Sequence, residues 1–447
     1  DTDSVSEKKR VLLKRMLMGL VSYYPIDRSS IVSIPEIIIP KDNTYSDYKI
    51  SKKIKIELCF MSQKQFQKYM GAWLQDKERS IKFNKKSIYS DKNFDYNINT
   101  RRICNMVYEN DNFRVMKKLK GDTAYIIEKN KEYENLFQSG ILKMNNGLEL
   151  YSPKFNRMLN NISKFVSTDS KGKILFYSEF RADSGAEIFE LILQSNGYSK
   201  FIPKEGRSKK LRYTFITGSE KVDERRINLQ AYNDIDNKHG EYIQIMIISG
   251  AGAEGISLTC VRQVHILEPY WNYVRIDQVF GRAIRMLSHQ DLSPLERNVE
   301  QYLYLSVFPE GNNITDIYKS LLELGTWQIP TIEGDIQTTL FENNKETFDT
   351  IQKIVRIKTE TINITADQKL FNIMEKKYNI STVVSDIIKE ASVDCLQNTR
   401  DNINIHQSCI QFDKKLQDEN AYYPGITADK LNMIDTKQLQ STFSYFM

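Results

Sequence analysis

The chain has 447 residues, of which 40% are hydrophobic, so it is long enough to bury the cores of two or three domains. Its net charge is +6, with acidic and basic residues interspersed, which permits a basic groove for nucleic acid but does not require one. No stretch approaches the roughly 18 consecutive apolar residues that a membrane-spanning helix needs, so we expect a soluble protein.

The cysteines argue against a metal-binding or disulfide-bonded framework. They are odd in number and none forms a CxxC pair, so the sequence predicts neither a zinc site nor a set of structural disulfides. This usage favours a reducing compartment. The five residues are Cys59, Cys104, Cys260, Cys395 and Cys409.

The first 60 residues are predicted to be a linker and tail that follow another domain. A basic, Met- and Leu-rich helical pattern covers Lys8 to Leu20, and Pro25 and Pro35 then punctuate an apolar, extended segment. The chain begins without an initiator Met, so we expect it to be part of a larger protein, with a further domain before residue 1.

Residues 61–165 are predicted to be a partly helical insertion. Ser62 can cap a helix that runs to Trp73, whereas most of the region after Trp73 is rich in Lys, Asn, Asp and Tyr, with weak periodicity. The TRRICN stretch, Thr100 to Asn105, carries two arginines that could contact nucleic acid. A solvated turn is the interpretation that we favour for it.

Residues 166–310 alternate short apolar runs with amphipathic helices, a pattern typical of a parallel sheet with right-handed crossovers. Helices are predicted at Ser184 to Gly197 and at Glu224 to Asn233. Strands are predicted at Lys173 to Phe180, Arg212 to Thr217, Ile243 to Ile248, Val264 to Leu267 and Gln301 to Phe308.

A loop of small residues comes after the Ile243 to Ile248 strand. It contains glycines and alanines from Gly250 to Gly255, which let the backbone approach a ligand closely. Ser249, Gly250, Ser257 and Thr259 offer hydroxyl and backbone donors that suit phosphate and sugar contacts without sequence information. We expect nucleic acid to lie against this loop. A basic loop could extend the track through Lys209, Lys210 and Arg212, although a solvated loop is an equal alternative.

A helix that presents basic groups is predicted next. Asn272 can cap a helix from Tyr273 to Leu287, on which Gln278, Arg282 and Arg285 project from one face. Fixed guanidinium groups suit phosphoryl transfer, because they neutralise the charge that develops on the transferring phosphate. The alternative is that such a face is only a solvated surface.

The two features together resemble motifs V and VI of superfamily 2 helicases and translocases. QVFGRAIR matches the family pattern QxxGRxxR at Gln278, Gly281, Arg282 and Arg285, and GAGAEGISL matches the motif V loop. The resemblance implies a RecA-like lobe. It also implies that Arg282, Arg285 and Gln278 act in catalysis and that Gly255, Glu254 and Gly281 contact the nucleotide.

Weaker similarities narrow the resemblance to the superfamily 2 ATPases of nucleocytoplasmic large DNA viruses. This group contains the poxvirus early-transcription-factor small subunit and nucleoside triphosphate phosphohydrolase I. GLVSYY at Gly19 to Tyr24, TRRICN, and VDC at Val393 to Cys395 are similar to stretches of those proteins. The resemblance covers roughly residues 10 to 400 and implies action in the host cytoplasm or the virion, with viral transcription machinery as a possible partner.

Two elements of an ATPase site are missing from the sequence. Neither a GxxxxGK[ST] phosphate-binding loop nor a DExx box occurs, so we expect ATP and Mg²⁺ to be held mainly by a first lobe outside this chain. The chain alone is then expected to be inactive, and DNA is the expected nucleic acid. The alternative function is a nucleic-acid-binding or scaffold module with a vestigial ATPase lobe.

Residues 311–447 are predicted to be a helical C-terminal extension. The stretch from Leu370 to Cys395 places apolar residues at helical spacing, and it lacks a cluster of titratable groups, so we expect a docking or clamp role. The predicted fold class is therefore α/β: a RecA-like parallel-sheet lobe, preceded by a mixed or helical region and followed by the helical extension.

Overall fold

A computed structural model describes the fold of a large part of the chain. The residues that the structure describes are 6–17, 20–23, 35–38, 50, 53–84, 98–109, 112–167, 172–205, 211–217, 220–250, 255–309, 364–393, 395 and 409. Helices and strands are numbered in chain order over these residues.

One parallel sheet organises the central part of the chain, as predicted for an α/β fold. Its strand order is β1-β8-β7-β3-β6-β5-β4, with β2 also paired to β8, and every pairing is parallel. The central strands are buried along their whole length, which explains their continuous apolar sequences. The strands are β1 (Glu36–Ile38), β2 (Lys55–Phe60), β3 (Lys173–Ser178), β4 (Ser199–Lys200), β5 (Arg212–Ile216), β6 (Ile245–Ser249), β7 (Val261–Ile266) and β8 (Asn298–Val307).

Two strands lie in the region that we predicted to be a linker. β1 pairs with the first part of β8, from Asn298, and β2 pairs with the second part, from Tyr302 to Val307. The linker prediction is wrong for these residues. β1 has only three residues, and β2 is too far from the next strand in sequence to give a βαβ signal, so only their pairing with β8 reveals them.

Helices connect the strands of the lobe and cover its sheet. The helix α7 (Ala186–Ser195) follows β3, α8 (Val222–Asn233) joins β5 to β6, and α9 (Tyr273–Ala283) lies between β7 and β8. Short 3₁₀ turns occupy Pro203–Glu205, Ile235–Asn237 and Pro294–Glu296.

The residues between β2 and β3 are mainly helical wherever the structure describes them. They form α2 (Gln63–Asn84), α3 (Ile98–Asn105), α4 (Asn112–Gln138), α5 (Leu148–Tyr151) and α6 (Pro153–Ser167). Ser62 caps α2 as predicted, because its hydroxyl accepts a hydrogen bond from the Gln65 amide at 3.0 Å. The turn expected at TRRICN is instead part of α3, whose Thr100, Ile103, Cys104 and Asn105 are buried.

The helices α6 and α7 pack against β3 through aromatic residues. The Phe176 and Phe189 rings stack with centroids 4.1 Å apart, and Phe155 stacks on Phe189 at 5.6 Å. All three side chains are fully buried, so the apolar area that they remove from water holds α6, α7 and the sheet together.

The chain divides into two units, one within Ser30–Glu375 and the other drawn from Asp1–Ser29 and Lys376–Met447. Helix α10 (Ala366–Ala391) has residues in both. In the smaller unit, α1 (Glu7–Leu17) carries Arg10 and Lys14, which form ion pairs with Glu390 at 2.9 and 2.5 Å. The predicted helices at both ends of the chain are thus present.

The smaller unit also contains a disulfide, between Cys395 and Cys409. The sequence did not predict it, because an odd cysteine count with irregular spacing gives no pairing signal. Cys59, Cys104 and Cys260 are free and buried. Among the helices of the described residues, none is both long and apolar enough to cross a membrane.

Candidate functional site

The candidate site is built on α9 and on the loop between β6 and β7, residues 250–260. The structure describes Gly250 at the start of this loop and residues 255–260 at its end. Because all strands are parallel, Gly250 lies at the carboxyl edge of the sheet, and the residues that precede β7 lie at the amino edge. Helix α9 starts after the carboxyl end of β7. The helix and the β6–β7 loop therefore both run from the carboxyl edge of the sheet towards its amino edge.

Asn272 starts α9 as predicted. Its side-chain oxygen accepts a hydrogen bond from the Val274 amide at 3.1 Å, which satisfies one of the free N–H groups of the first turn. Ile276, Val279, Phe280 and Ala283 form the buried side of the helix. The opposite side therefore presents polar groups.

Helix α9 is shorter than predicted. It ends at Ala283, because Ile284 leaves the helical region with φ −110° and ψ 70°. Arg285 consequently follows the helix and is not on its regular face, and Leu287, the last residue of the predicted helix, is 50% exposed. Gln278 and Arg282 do share a face, at i and i+4 within the helix.

The two predicted arginines contact the end of the β6–β7 loop. Arg282 donates from Nη1 to the Ile256 carbonyl at 3.4 Å, and its own carbonyl accepts from the Leu258 amide at 3.0 Å. Arg285 donates to the Ser257 hydroxyl and, at 3.2 Å, to the Gly281 carbonyl. Both side chains are half-buried, while the Gln278 side chain is exposed.

Two of the predicted glycines leave space around the backbone. Gly255 has φ +76°, a left-handed conformation that favours glycine, and it is exposed. A Cβ atom built at Gly255 or Gly281 would meet nothing within 4 Å, so another molecule can approach the backbone at both positions.

The start of the loop is held by a residue that the sequence analysis missed. Arg275 donates from Nη2 to the Gly250 carbonyl at 3.1 Å, and from Nε to Glu179 Oε1 at 3.1 Å and to Tyr177 Oη at 3.3 Å. The helical spacing of Arg275 could have indicated this residue from the sequence. Arg275 lies three positions before Gln278, so it belongs to the same helix face.

Three of the predicted nucleic-acid contacts point into the protein. The Ser249 side chain is 3% exposed and donates to the Thr217 carbonyl at 2.9 Å. Arg212 is 2% exposed and starts β5 at the amino edge, away from Gly250, because segments that precede and follow parallel strands lie at opposite edges. The Thr259 hydroxyl is bound to the Asn233 carbonyl at 3.5 Å. The predictions for the Ser249 and Arg212 side chains are wrong.

Three other predicted site residues lie outside the described residues. They are Glu254, which was expected to contact the nucleotide, and Lys209 and Lys210, which were expected to extend the nucleic-acid track. Ser257 and Gly255 are exposed, so the Ser257 hydroxyl and the Gly255 backbone are the predicted contacts that stay available, whereas Gly250 is buried and its carbonyl is bound to Arg275.

A buried carboxyl group ties the carboxyl ends of β3 and β7 together. Glu268 accepts hydrogen bonds from Ser178 Oγ at 2.9 Å, the Glu179 amide at 2.5 Å and Asn105 Nδ2 at 3.1 Å. Burial raises the pKa of Glu268 to about 7, although the charges of Lys154 and Arg101 and the hydrogen bonds from Ser178 and the Glu179 amide act to lower it. Asn105 is the last residue of TRRICN, so this motif contacts the carboxyl edge of the sheet through the hydrogen bond from Asn105 to Glu268.

The donors on α9 and directly after it suit a phosphate ligand. They combine two guanidinium groups with an exposed amide, and the described residues contain no group of three or more His, Cys, Asp or Glu that could hold a metal ion. Fixed positive charge suits a triphosphate, whereas Mg²⁺ needs carboxylate or hydroxyl ligands from elsewhere. The set can thus stabilise phosphate charge but cannot hold the metal by itself.

Comparison with known proteins gives a family match for this region. Residues 154–287 match the family model described as "Helicase conserved C-terminal domain". The match starts in α6 and ends just after Arg285, so it contains the β3 strand, the β6–β7 loop and α9. The matched residues thus contain the central strands of the parallel sheet and both arginines of the candidate site.

Viral proteins are among the relatives. A protein of Acanthamoeba polyphaga mimivirus named "Putative ATP-dependent RNA helicase" is 27% identical over 305 residues, which cover 68% of this chain and 45% of that protein. A "Termination factor NPH-I homolog" of African swine fever virus is 36% identical over 205 residues, 37% of this chain and 28% of that protein. The chain thus spans less than half the length of either relative.

Solved structures of ATPase domains show partial similarity to this chain. The C-terminal part of the Fun30 ATPase domain matches 69% of this chain and 97% of that one, at 16% identity and a TM-score of 0.36. The Sulfolobus solfataricus SWI2/SNF2 ATPase core in complex with dsDNA matches 60% of this chain and 43% of that one, at 16% identity and a TM-score of 0.31.

Proposed function

We propose that this chain supplies the second lobe of an ATP-dependent DNA helicase or translocase, because residues 154–287 match the helicase conserved C-terminal domain and the chain is similar to helicases of large DNA viruses. The observation that carries the proposal is the position of α9, which presents Gln278 and Arg282 on one face directly beside the β6–β7 loop. The full-length protein acts in viral transcription or genome processing.

In this proposal the arginines complete an ATP site whose phosphate-binding loop and Mg²⁺ ligands lie on a first lobe. Arg282 and Arg285 place positive charge against the transferring phosphoryl group of ATP, and Gln278 orients the reacting groups. Both arginines now donate to oxygens of their own lobe. Closure of the two lobes exchanges these weak contacts for phosphate oxygens, so that hydrolysis requires both lobes.

Nucleic acid binds along the β6–β7 loop. The exposed Ser257 hydroxyl and the exposed backbone at Gly255 suit contacts to phosphate and sugar, which are independent of base sequence. The net charge of +6 supports a polyanion as the ligand. DNA is the proposed ligand, and a comparison of DNA with RNA of the same sequence tests this choice, since the mimivirus relative is named as an RNA helicase.

The decisive experiment measures ATP hydrolysis by the full-length protein with and without nucleic acid. Arg282→Ala and Arg285→Ala should each lower turnover by at least about 10³ with the fold unchanged. Arg226→Ala is the matched control, because it removes one positive charge from an exposed position on α8 of the same lobe, where Arg226 pairs only loosely with Asp223 at 3.8 Å. Near wild-type turnover in both arginine variants of the candidate site would refute the arginine assignment.

A second experiment separates unwinding from movement along the strand. A strand-displacement assay is run beside a translocation assay on the same full-length protein. Activity in the second assay alone assigns a translocase, activity in both assigns a helicase, and ATP hydrolysis without either refutes both. Absence of nucleic-acid-stimulated hydrolysis would support the alternative of a binding or scaffold module.

A further inference from the structure

Arg275 connects three separate parts of the lobe at the carboxyl edge of the sheet. We propose that it is a positioning residue that holds Gly250, the described start of the β6–β7 loop, against α9 and the end of β3, and that it thereby sets the position of Arg282. This inference rests on the proposed function, in which the loop contacts nucleic acid and Arg282 contacts ATP.

The first step is the geometry around the guanidinium group. Nη2 binds the Gly250 carbonyl at 3.1 Å, and Nε binds Glu179 Oε1 at 3.1 Å and Tyr177 Oη at 3.3 Å. Tyr177 in turn donates to Glu179 Oε1 at 2.7 Å, which fixes the carboxylate. The start of the loop is thus attached to α9 and, through Glu179, to the residues at the end of β3.

The second step is the chemistry of the residue. A guanidinium group presents several donors in a rigid plane and reaches three acceptors at once, whereas an ammonium group is a single point of charge. Burial acts to lower the pKa of Arg275, but the neighbouring Tyr177 and Glu179 raise it above its ordinary value. The side chains of Arg275 and Glu179 are only 26% and 23% exposed, so solvent screens their attraction incompletely.

The third step is the attachment at the other end of the loop. Arg282 binds the Ile256 carbonyl at 3.4 Å and its carbonyl accepts from the Leu258 amide at 3.0 Å. Arg275 and Arg282 are seven residues apart on a regular helix, which is about 10 Å along its axis. One regular helix therefore contacts both described ends of the loop, at Gly250 through Arg275 and at Ile256 and Leu258 through Arg282. In this proposal, loss of the Arg275 contacts shifts α9 and displaces Arg282.

The fourth step is the space at Gly250. A Cβ atom there would lie 2.6 Å from Glu179 Oε2 and 3.0 Å from Arg275 Nη2. Only a residue without a side chain lets the loop backbone come this close to the ion pair. Gly250→Ala therefore perturbs the same contact from the loop side, without changing any charged group.

The structural test uses hydrogen exchange in the full-length protein. Arg275→Lys keeps the charge and loses the planar fork, and it should speed exchange of the Leu258 amide by about tenfold or more, because local opening of the loop end becomes easier. The matched control is Arg297→Lys. Arg297 also donates to two loop carbonyls, those of Leu292 and Gln290 at 3.1 and 3.0 Å, but it precedes β8 at the opposite edge of the sheet.

The functional test measures ATP hydrolysis at saturating nucleic acid. Arg275→Lys and Gly250→Ala should each lower kcat by about tenfold to a hundredfold, because a small misplacement of a catalytic group is costly, and should change KM for ATP by less than about twofold. In an Arg282→Ala background the Arg275→Lys change should cost almost nothing more, since the residue that it positions is gone.

The possible results separate the two proposals. Unchanged exchange at Leu258 in Arg275→Lys, or equal effects in Arg297→Lys, would overturn the positioning role. Additive losses of kcat in the double variant would overturn the coupling to Arg282. If the wild-type protein shows no nucleic-acid-stimulated hydrolysis, the proposed function fails, while the exchange experiment still decides whether Arg275 holds the loop.

Discussion

Lys154 and Asp367 form an ion pair in which both side chains are completely buried. Lys154 also donates to Asn105 Oδ1 at 3.0 Å and to the Leu267 carbonyl at 3.1 Å, and Asp367 accepts from the Ser306 amide at 2.9 Å. The pair therefore joins the start of α6, the start of α10, α3 and the ends of β7 and β8. Residues far apart in sequence meet at this point under the carboxyl edge of the sheet.

Removal of one partner of this pair should be strongly destabilising. Lys154→Met leaves the Asp367 carboxylate buried without its counter-ion, and we expect a loss of about 3–5 kcal/mol in the free energy of unfolding, measured by urea denaturation. The double variant Lys154→Met with Asp367→Asn should recover part of this loss. As a control, Arg226→Met breaks an exposed pair with Asp223 and should cost less than about 1 kcal/mol. Equal losses of unfolding free energy in Lys154→Met and Arg226→Met would contradict the prediction.

The buried carboxyl group of Glu268 should make stability depend on pH near neutrality. Because its pKa is raised from 4.5 to about 7 by burial, the folded protein keeps a proton that the unfolded chain releases. This contribution to stability is full below about pH 4.5 and is lost as the pH rises through 7. Glu268→Gln cannot ionise, so the Tm of this variant minus the Tm of the wild type should increase between pH 5 and pH 8. Parallel Tm profiles for the two proteins, or the same gain in the exposed Glu224→Gln control, would show that Glu268 is not the titrating group.

The chain by itself should neither bind ATP tightly nor hydrolyse it. Its described site offers guanidinium groups, but the sequence has no phosphate-binding loop and no DExx box to hold the triphosphate and Mg²⁺. Isothermal titration calorimetry of the 447-residue chain with ATP and Mg²⁺ should therefore show no micromolar site. A stoichiometric isotherm would place the nucleotide pocket inside this chain and contradict the two-lobe model.

Binding of single strands should be independent of sequence and should weaken steeply with salt. If Lys209 and Lys210 neutralise phosphates, their double replacement by Ala should flatten the log–log salt slope by about 0.7 per lost contact. Replacement of the exposed Lys131 and Lys143 in the helical region is the charge-matched control and should leave the slope unchanged. Titrations by fluorescence anisotropy at several salt concentrations measure both slopes. The same slope in all three proteins would mean that the strand passes elsewhere.

The sequence by itself determined the parts of this protein that local pattern controls. Continuous apolar runs predicted β3, β6 and β7, because strands buried on both faces of a parallel sheet carry no polar alternation. The cap at Asn272 and the face shared by Gln278 and Arg282 followed from helix geometry, and the QxxGRxxR spacing indicated the family. These features depend on residues within about two helical turns of each other.

Contacts between residues distant in sequence were decided only by the tertiary structure. β1 and β2 are strands because β8 supplies their hydrogen bonds, and Arg212 and the Ser249 hydroxyl face inward because of the edge and the neighbours that the sheet gives them. The role of Arg275 depends on Glu179 and Gly250, which are 96 and 25 positions away. Periodicity reports which residues share a face, but the partner that this face meets depends on how the strands are ordered in space.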